Sequence, residues 1–362
     1  MRHRLDVVLA LAAAGVLAGC RTLLAVWEHM ADLDPGDLAE LGIKEGRPLP
    51  SESTIRRALQ VLDPDDLDAP IASWMLTRTG TIDGRRVIAV DGKTMRGAKP
   101  KNNNSGDGDD GGGVAPHLLA ALDQSTGAVV AQQRVAGKGS EIPALRELLA
   151  PHDLQGTVVT ADALHTQHGT AEWITSKGGD YLLTVKNNQP GLRAGLKALP
   201  WKDIPAVTGV DTSHGRRVRR TIKAVQAPDR IDFPGAAQVL QVRRTRTTTK
   251  RQPSGSKKSR RSTEVVYLIC SIPAEQAQPE QVAARIQGHW AIGNRVHWVR
   301  DVTYDEDNHQ LRTGSGPQVM ATLRNLAISL IRLAHGTTQS IASANRAMAR
   351  RPAKAIKALT TP

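Results

Sequence analysis

The sequence is poor in aromatic residues and in cysteine. Its 362 residues include one phenylalanine, three tyrosines and six tryptophans, so aromatics make up 3% of the chain. This composition offers few rings on which the bases of a single-stranded nucleic acid could stack. The two cysteines, Cys20 and Cys270, are too few for a disulfide framework or a cysteine zinc site. Such sparse cysteine is typical of a reducing compartment.

Long apolar runs are also missing, with one ambiguous segment at the start of the chain. Residues 7–18 are apolar after a basic start, and residues 17–20 resemble a lipoprotein cleavage box. However, Asp6 borders the run, and residues 23–27 continue the apolar pattern instead of becoming a polar tether. We therefore predict one or two buried helices over residues 5–30. An envelope lipoprotein is kept as the lesser alternative, and no other stretch is long enough to span a membrane.

Positive charge is in excess and is clustered. The chain has 48 Lys and Arg against 35 Asp and Glu, a net charge of +13 and a pI near 10.1. Several basic runs fall within residues 216–261, and such runs track a phosphate backbone with salt-sensitive affinity. Double-stranded DNA is therefore the expected partner, with no role at a membrane. Residues 246–262 are predicted to form a disordered loop, where the charge could equally be solvated without a fixed contact.

Two short apolar runs each end in an aspartate. Residues 87–90 precede Asp91, and residues 157–161 precede Asp162. β-Branched and small apolar residues in runs of this length predict strands buried on both faces. A carboxylate at the exit of such a strand costs free energy unless something binds it, and a divalent cation relieves the repulsion between two of them. Either aspartate alone could be a turn residue, but the pair predicts a Mg²⁺ site of the nuclease type.

The order of predicted elements divides the chain into three regions. Residues 1–78 are predicted to be a small helical domain, and residues 79–338 an α/β domain whose strands and helices alternate. Within it, residues from about 195 to 277 are β-rich and basic and resemble an insertion, while residues 99–113 are a Gly/Asn/Asp tract typical of a flexible loop. Helices are predicted over residues 278–300 and 317–335, and residues 339–362 are expected to be a C-terminal tail.

Seven segments of the sequence, in order, resemble the DDE transposases of bacterial insertion sequences. The match is closest to the ISAs-type branch, which includes the H-repeat-associated proteins. The matching segments are Asp91–Gly97, Ser140–Ala144, Thr160–Gln167, Tyr181–Pro190, His214–Arg217, His289–Val302 and Arg312–Gly314. The resemblance extends to the helical N-terminal segment and so covers nearly the whole chain. It implies an α/β fold with a ribonuclease-H-like catalytic core and a β-rich insertion, preceded by the small helical domain.

The resemblance also implies a chemistry. In this family three carboxylates hold two Mg²⁺ ions, for which Mn²⁺ can substitute, and the ions promote DNA cleavage and strand transfer of the insertion sequence by in-line attack on a phosphodiester. Asp91 would bridge both ions, and Asp162 would bind one. Such proteins act as homo-oligomers on paired DNA ends, in the cytoplasm on the nucleoid. The residues expected to contact DNA phosphates or to brace the site are Lys93, Lys186, Asn187, Arg216 and Arg312.

The third carboxylate of the family is missing at the matching position. In the run His289-Trp290-Ala291-Ile292-Gly293-Asn294, Gly293 stands where the family has a glutamate. Helical spacing places position 293 on the face of Trp290 and His297, towards the expected metals. Glycine supplies no ligand, and it weakens a helix by roughly 1 kcal/mol relative to alanine.

Two later carboxylates are candidates for the missing ligand. Asp301 lies eight residues beyond Gly293, about 12 Å along a helix. Glu306 would be roughly 20 Å away on a continuous helix, but residues 302–304 suggest that the helix ends and the chain folds back. Glu306 is therefore the catalytic candidate if the chain is an active transposase. The alternatives are a catalytically dead DNA-binding remnant or a general metal-dependent nuclease.

Overall fold

The computed structural model describes residues 3–100, 114–212, 216–251 and 257–361. Most of the predicted loop at residues 99–113, and His214-Gly215 of the resemblance, lie outside these ranges. The helices of the described chain are α1 (Leu5–Leu17), α2 (Leu23–Ala31), α3 (Pro35–Glu40), α4 (Glu52–Val61), α5 (Pro64–Leu76), α6 (Glu141–Leu149), α7 (His168–Ser176), α8 (Pro190–Lys197), α9 (Pro279–Ile292), α10 (Gly316–His335), α11 (Ile341–Arg350) and α12 (Pro352–Thr360). The strands are β1 (Arg86–Thr94), β2 (His117–Asp123), β3 (Val129–Val135), β4 (Thr157–Ala161), β5 (Asp180–Val185), β6 (Val207–Asp211), β7 (Arg216–Gln226), β8 (Gln238–Arg251) and β9 (Lys257–Cys270).

The chain divides into two compact units. The first unit comprises Met1–Thr81, Asp91–Leu149 and Trp290–Pro362, and the second comprises Ile82–Val90 and Ala150–His289. Strand β1 contributes its first five residues to the second unit and its last four to the first. These units do not follow the three predicted regions, whose limits stay predictions.

The helical part of the first unit forms because its apolar residues recur at helical spacing. Helix α1 buries nine residues, among them Leu11 and Leu17, and packs against α2, α10 and α12. The Thr22 hydroxyl caps α2 by accepting a hydrogen bond from Ala25 N at 3.1 Å. The buried helices predicted over residues 5–30 are therefore confirmed. The predicted tail is also helical, since α11 and α12 pack on this core through residues such as Ile356.

The strands of the first unit follow the order β3-β2-β1. Strand β2 is buried along all seven of its residues and pairs antiparallel with β3. It is covered on its faces because α6 packs against both β2 and β3, while α5 and α10 pack against β3. A near-continuous apolar strand is what burial on both faces requires.

The second unit contains a mixed sheet in the order β1-β4-β5-β9-β8-β7-β6. Strands β1, β4 and β5 run parallel to one another. The long strands β9, β8 and β7 and the short β6 continue the sheet antiparallel. The parallel strands are rich in buried Val, Ile, Leu and Ala, as their central position demands. The predicted fold class is confirmed: an α/β ribonuclease-H-like core with a β-rich insertion and a helical N-terminal region.

The prediction of a disordered loop over residues 246–262 is wrong for the part of this segment that the structure describes. Residues 246–251 end β8, residues 257–262 begin β9, and the two are paired in register from Gln238↔Cys270 to Arg251↔Lys257. The basic residues suggested disorder, but Thr247, Thr248 and Thr249 are β-branched and favour extended backbone. Continuous ladder hydrogen bonds then outweigh the charge.

The helix after the insertion changes its winding at the glycine. The α-helix α9 ends at Ile292, and wider π-helical turns follow over Gly293–His297 and Val299–Thr303. Short π-helical turns recur at functional sites in proteins. The helix predicted over residues 317–335 is confirmed as α10. No helix in the described part of the chain combines the length and hydropathy that crossing a bilayer requires.

Candidate active site

Asp91 lies on β1 in the first unit, directly after its buried segment, with a side chain that is 32% exposed. Its Oδ1 accepts a hydrogen bond from Gly92 N at 3.0 Å, and its Oδ2 lies 3.5 Å from His297 Nδ1. Burial, with the cations Arg300 and Lys93 next in weight, lowers the pKa of His297 to about 3. The imidazole is therefore neutral at pH 7 and leaves the negative charge of Asp91 uncompensated by this contact.

Asp162 directly follows β4 in the second unit and is half-buried. Val90 of β1 and Ala161 of β4 are register partners, and each is followed along the chain by one of the two aspartates. The Oδ1 atom of Asp162 accepts from Leu164 N at 2.9 Å and so begins the short turn after the strand. The nearby His289 is buried, with Nδ1 3.2 Å from the Thr160 hydroxyl. Burial lowers the pKa of this histidine to about 4, despite the opposing attraction of Asp162.

Glu306, the expected third ligand, is bound by arginines. Its side chain is 1% exposed, and Arg300 Nε donates to both carboxylate oxygens, at 3.1 and 2.8 Å. Arg324 Nη1 donates to Oε2 at 3.1 Å, and Lys93 Nζ lies 3.6 Å from Oε1. Burial raises the pKa of Glu306, but attraction to Arg300 and Arg324 outweighs it and holds the pKa at about 2. This carboxylate is therefore a buried partner in ion pairs with two arginines.

A sharp reversal of the chain places Glu306 there. Asp305 adopts a left-handed conformation, with φ of 54° and ψ of 41°, so the chain folds back after the π-helical turns as the sequence suggested. The short turn Glu306–Asn308 then approaches the turn after β1 so closely that a Cβ on Gly97 would lie 2.0 Å from the Asp307 carbonyl oxygen. Arg312 Nε donates to the Gly97 carbonyl oxygen at 3.0 Å. Arg312 thus braces this turn, which is one of the two roles considered for it.

Lys93 does not have the exposure that its predicted DNA contact needs. Its side chain is 8% exposed, and Nζ donates to Asp301 Oδ1 at 2.6 Å while lying near Glu306. Asp301, the other candidate ligand, has a side chain that is 38% exposed and is held in this ion pair. The alternation of strand residues puts Lys93 on the same face of β1 as Asp91, so the ammonium group belongs to the inner structure of the site.

Gly293 has open space around it. A Cβ built on this residue meets no heavy atom within 4 Å, and the residue is half-buried at the start of the π-helical segment, four positions before His297. Within the described ranges, no group of three or more His, Cys, Asp or Glu side chains is arranged to hold a metal ion.

Three of the expected DNA contacts lie in the second unit and are exposed. Lys186 and Asn187 follow β5, and Arg216 begins β7. The segment after β5 is docked onto the loop that follows Asp162, because Asn188 Nδ2 donates to the Ala163 carbonyl oxygen. Lys186 and Asn187 can therefore present their side chains to solvent from a fixed backbone.

A buried brace beside Asp91 was not anticipated from any local pattern. His117 Nε2 lies 2.8 Å from Glu141 Oε1, and its Nδ1 lies 2.8 Å from the Thr94 hydroxyl. Both His117 and Glu141 are about 5% exposed or less. A Cβ on Gly92 would lie 2.6 Å from His117 Nε2 and 2.7 Å from Glu141 Oε1. A glycine is thus required after Asp91, because the side chains of His117 and Glu141 lie too close to the backbone to leave room for a Cβ. The one available signal was Glu141 within the family-like Ser140–Ala144 segment.

Replacing Gly92 with alanine is expected to displace the buried His117–Glu141 pair. Forcing extra volume into a packed interior costs typically 1–3 kcal/mol, and we expect a loss of about that size in the free energy of unfolding, measured by urea denaturation. Gly137→Ala is the matched control, because a Cβ there meets nothing within 4 Å. An equal effect of the two substitutions would contradict this explanation of Gly92.

The chain matches two family models and several named proteins. The model of the transposase DDE domain matches residues 82–330, and that of the DDE_Tnp_1-associated region matches residues 1–75. The "H repeat-associated putative transposase YhhI" of Escherichia coli (strain K12) is 29% identical over 343 residues, which cover 91% of this chain and 85% of that protein. Its relative "YbfD", named in the same words, is 31% identical over 245 residues, covering 64% of this chain and 90% of that protein.

One solved structure is more distantly similar. The piggyBac transposase synaptic complex with hairpin DNA matches with a TM-score of 0.44 and 12% identity, over 99% of this chain and 73% of that chain. The family models carry the assignment, since that of the DDE domain alone spans more than half of the sequence. The chain belongs to the DDE transposase family.

Proposed function

We propose that this chain is a DNA-binding protein of the transposase family that lacks the third carboxylate needed to cleave DNA. The observation that carries the proposal is at Gly293, where the expected glutamate is absent and open space stands in its place. The other two carboxylates of the family pattern, Asp91 and Asp162, follow register partners of a parallel strand pair. We assign them as the two remaining ligands for a divalent cation, Mg²⁺ or Mn²⁺.

Glu306 is poorly suited to replace the missing ligand. To turn towards a metal, it would have to leave Arg300 and Arg324, whose side chains are 0% and 1% exposed. Breaking a buried ion pair leaves an uncompensated charge and costs about 3–5 kcal/mol. Asp301 is less constrained, but its Oδ1 is bound by the Lys93 ammonium group. Neither carboxylate therefore completes the set without a structural rearrangement.

Binding of double-stranded DNA is supported by charge and by the relatives. The net charge of +13 favours a polyanion, and relatives that match over most of this chain's length are named transposases. The exposed Lys186, Asn187 and Arg216 are proposed as phosphate contacts. Assembly as a homo-oligomer on DNA and residence on the nucleoid in the cytoplasm are part of the same proposal. DNA cleavage and strand transfer would require the missing ligand.

The test compares cleavage by the unaltered chain with cleavage by its carboxylate variants. A supercoiled plasmid carrying the element's ends would be incubated with the chain, with Asp91→Ala and with Asp162→Ala, in Mg²⁺ and in Mn²⁺. We expect all three proteins to bind the plasmid in a gel-shift assay and none to cleave it above background. Cleavage by the unaltered chain that either substitution abolishes would overturn the proposal and identify an active transposase with another third ligand.

A further inference from the structure

One face of the insertion sheet in the second unit is strongly basic. Strands β7, β8 and β9 and the segment after α8 line a groove of about 470 Å³ there. We call its cations the basic face; they are Lys202, Arg219, Lys223, Arg243 and Arg261. No carboxylate lines the groove, and among the described residues none forms an ion pair with these five side chains. Lys223 Nζ donates to the Trp201 carbonyl oxygen, and the charge of the other four cations is available to a ligand.

The strand register places neutral residues opposite the arginines of the basic face. Across β7 and β8, Arg219 is paired with Thr245, and Arg243 with Thr221. Arg261 of β9 is paired with Thr247. Like charges placed directly opposite each other destabilise a sheet, and on this face each arginine faces a neutral threonine instead. The arrangement keeps a high positive charge on a folded sheet, which is what a phosphate-binding surface requires.

The groove lacks the rings that would hold single-stranded bases. Trp201, the aromatic side chain in its lining, is 7% exposed, and its ring centroid lies 6.0 Å from that of Tyr267, which is also 7% exposed. Trp201 Nε1 donates to the Leu196 carbonyl oxygen at 2.8 Å, so the indole is fixed in the floor of the groove. Binding of single strands relies on exposed aromatic platforms. The basic face fits a ligand recognised by its phosphates.

We propose that the basic face binds the sugar-phosphate backbone of duplex DNA. From Arg219 to Lys223 the strand covers about 13 Å, at roughly 3.3 Å per residue. One strand of duplex DNA has a phosphate about every 3.4 Å along the axis, so this length spans about four phosphates. The threonines and Gln241 between the cations supply neutral hydrogen-bonding groups. The inference rests on the proposed function, which names duplex DNA as the partner. It assigns a DNA-backbone contact to the insertion sheet, apart from the strand-end aspartates.

The salt dependence of binding tests this surface. The full chain would be compared with the triple variant Arg219→Gln, Arg243→Gln and Arg261→Gln, whose parent residues are all exposed. The charge-matched control is Arg346→Gln, Arg350→Gln and Lys354→Gln, at exposed positions on α11 and α12. Affinity for a 30-base-pair duplex and for RNA of equal length would be measured by fluorescence anisotropy at several salt concentrations.

The basic-face variant should bind the duplex about tenfold or more weakly. The slope of log K against log salt should fall by about 2–3, near 0.9 for each phosphate that the protein no longer neutralises. The control should leave both quantities within error. An unchanged slope in the basic-face variant, or equal losses of affinity in both variants, would overturn the assignment of DNA binding to the basic face. Duplex binding by the unaltered chain would still support the proposed function in that case. Loss of RNA binding alone would overturn the duplex assignment. An unaltered chain that binds no duplex would overturn both proposals.

Discussion

The variant Gly293→Glu is expected to cleave DNA carrying the element's ends in the presence of Mg²⁺, on the order of a thousandfold faster than the unaltered chain. A metal ion that stabilises the charge of a phosphoryl transition state contributes several kcal/mol, and each 1.36 kcal/mol is a factor of ten in rate. The structure has room for the new side chain, because a Cβ at this position meets nothing within 4 Å. Glutamate is also the better helix former by up to about 1 kcal/mol, so the variant should fold.

Two further variants make this result specific to a carboxylate. Gly293→Gln has nearly the same size without the charge, and it should cleave no faster than the unaltered chain. Asp91→Ala added to Gly293→Glu should abolish the gained activity if Asp91 is a ligand. The idea fails if Gly293→Glu is folded, binds DNA as tightly as the unaltered chain and still cleaves no faster than Gly293→Gln. In that case the chain would have lost more than one ligand.

Glu306→Gln is expected to lower the free energy of unfolding of the protein by about 3–5 kcal/mol. Glutamine keeps the volume of the side chain but removes the charge that compensates Arg300 and Arg324, which are fully buried. Urea denaturation followed by circular dichroism would measure the loss. The matched control is Glu45→Gln, an exposed residue without an ion pair in the described structure, for which a change within about 0.5 kcal/mol is expected. A similarly small effect at Glu306 would show that the ion pairs are not formed in solution.

The same carboxylate gives a stability difference that depends on pH. The pKa of Glu306 is lowered from 4.5 to about 2, because attraction to Arg300 and Arg324 outweighs the opposing effect of burial. A lowered carboxylate pKa contributes stability that is full above the unfolded value and is lost as pH falls through the folded value. The advantage of the unaltered chain over Glu306→Gln should thus be constant above about pH 4.5. It should shrink by about 3 kcal/mol on approaching pH 2, as measured by urea denaturation at each pH. A difference that stayed flat would contradict the lowered pKa.

The ends of the parallel strands and the first helices could be predicted from the local pattern of apolar residues. The apolar runs before Asp91 and Asp162 form the parallel strands β1 and β4, because β-branched residues in short runs suit burial on both faces. The helices α1 and α2 were readable from apolar spacing that continues past Cys20. The prediction was wrong at Arg246–Arg251, where the basic composition suggested a disordered loop. This segment is a strand, because its hydrogen bonds to β9 outweigh the repulsion between neighbouring charges.

The contacts of single carboxylates and glycines were decided by tertiary structure. Residues 302–304 suggested that the chain folds back, but nothing local indicates that the reversal at Asp305 brings Glu306 to Arg300 and Arg324. Likewise Gly92 and Gly97 are glycines because distant groups approach the backbone there. Periodicity and strand propensity depend on neighbours along the chain, so the sequence by itself determined the helices α1, α2 and α10 and the two strand-end aspartates. The missing glutamate at Gly293 was visible only through the resemblance to the family. Ion pairing and close approach depend on residues far apart in the chain, so only the folded structure decided that Glu306 is an anchor and that position 293 is open.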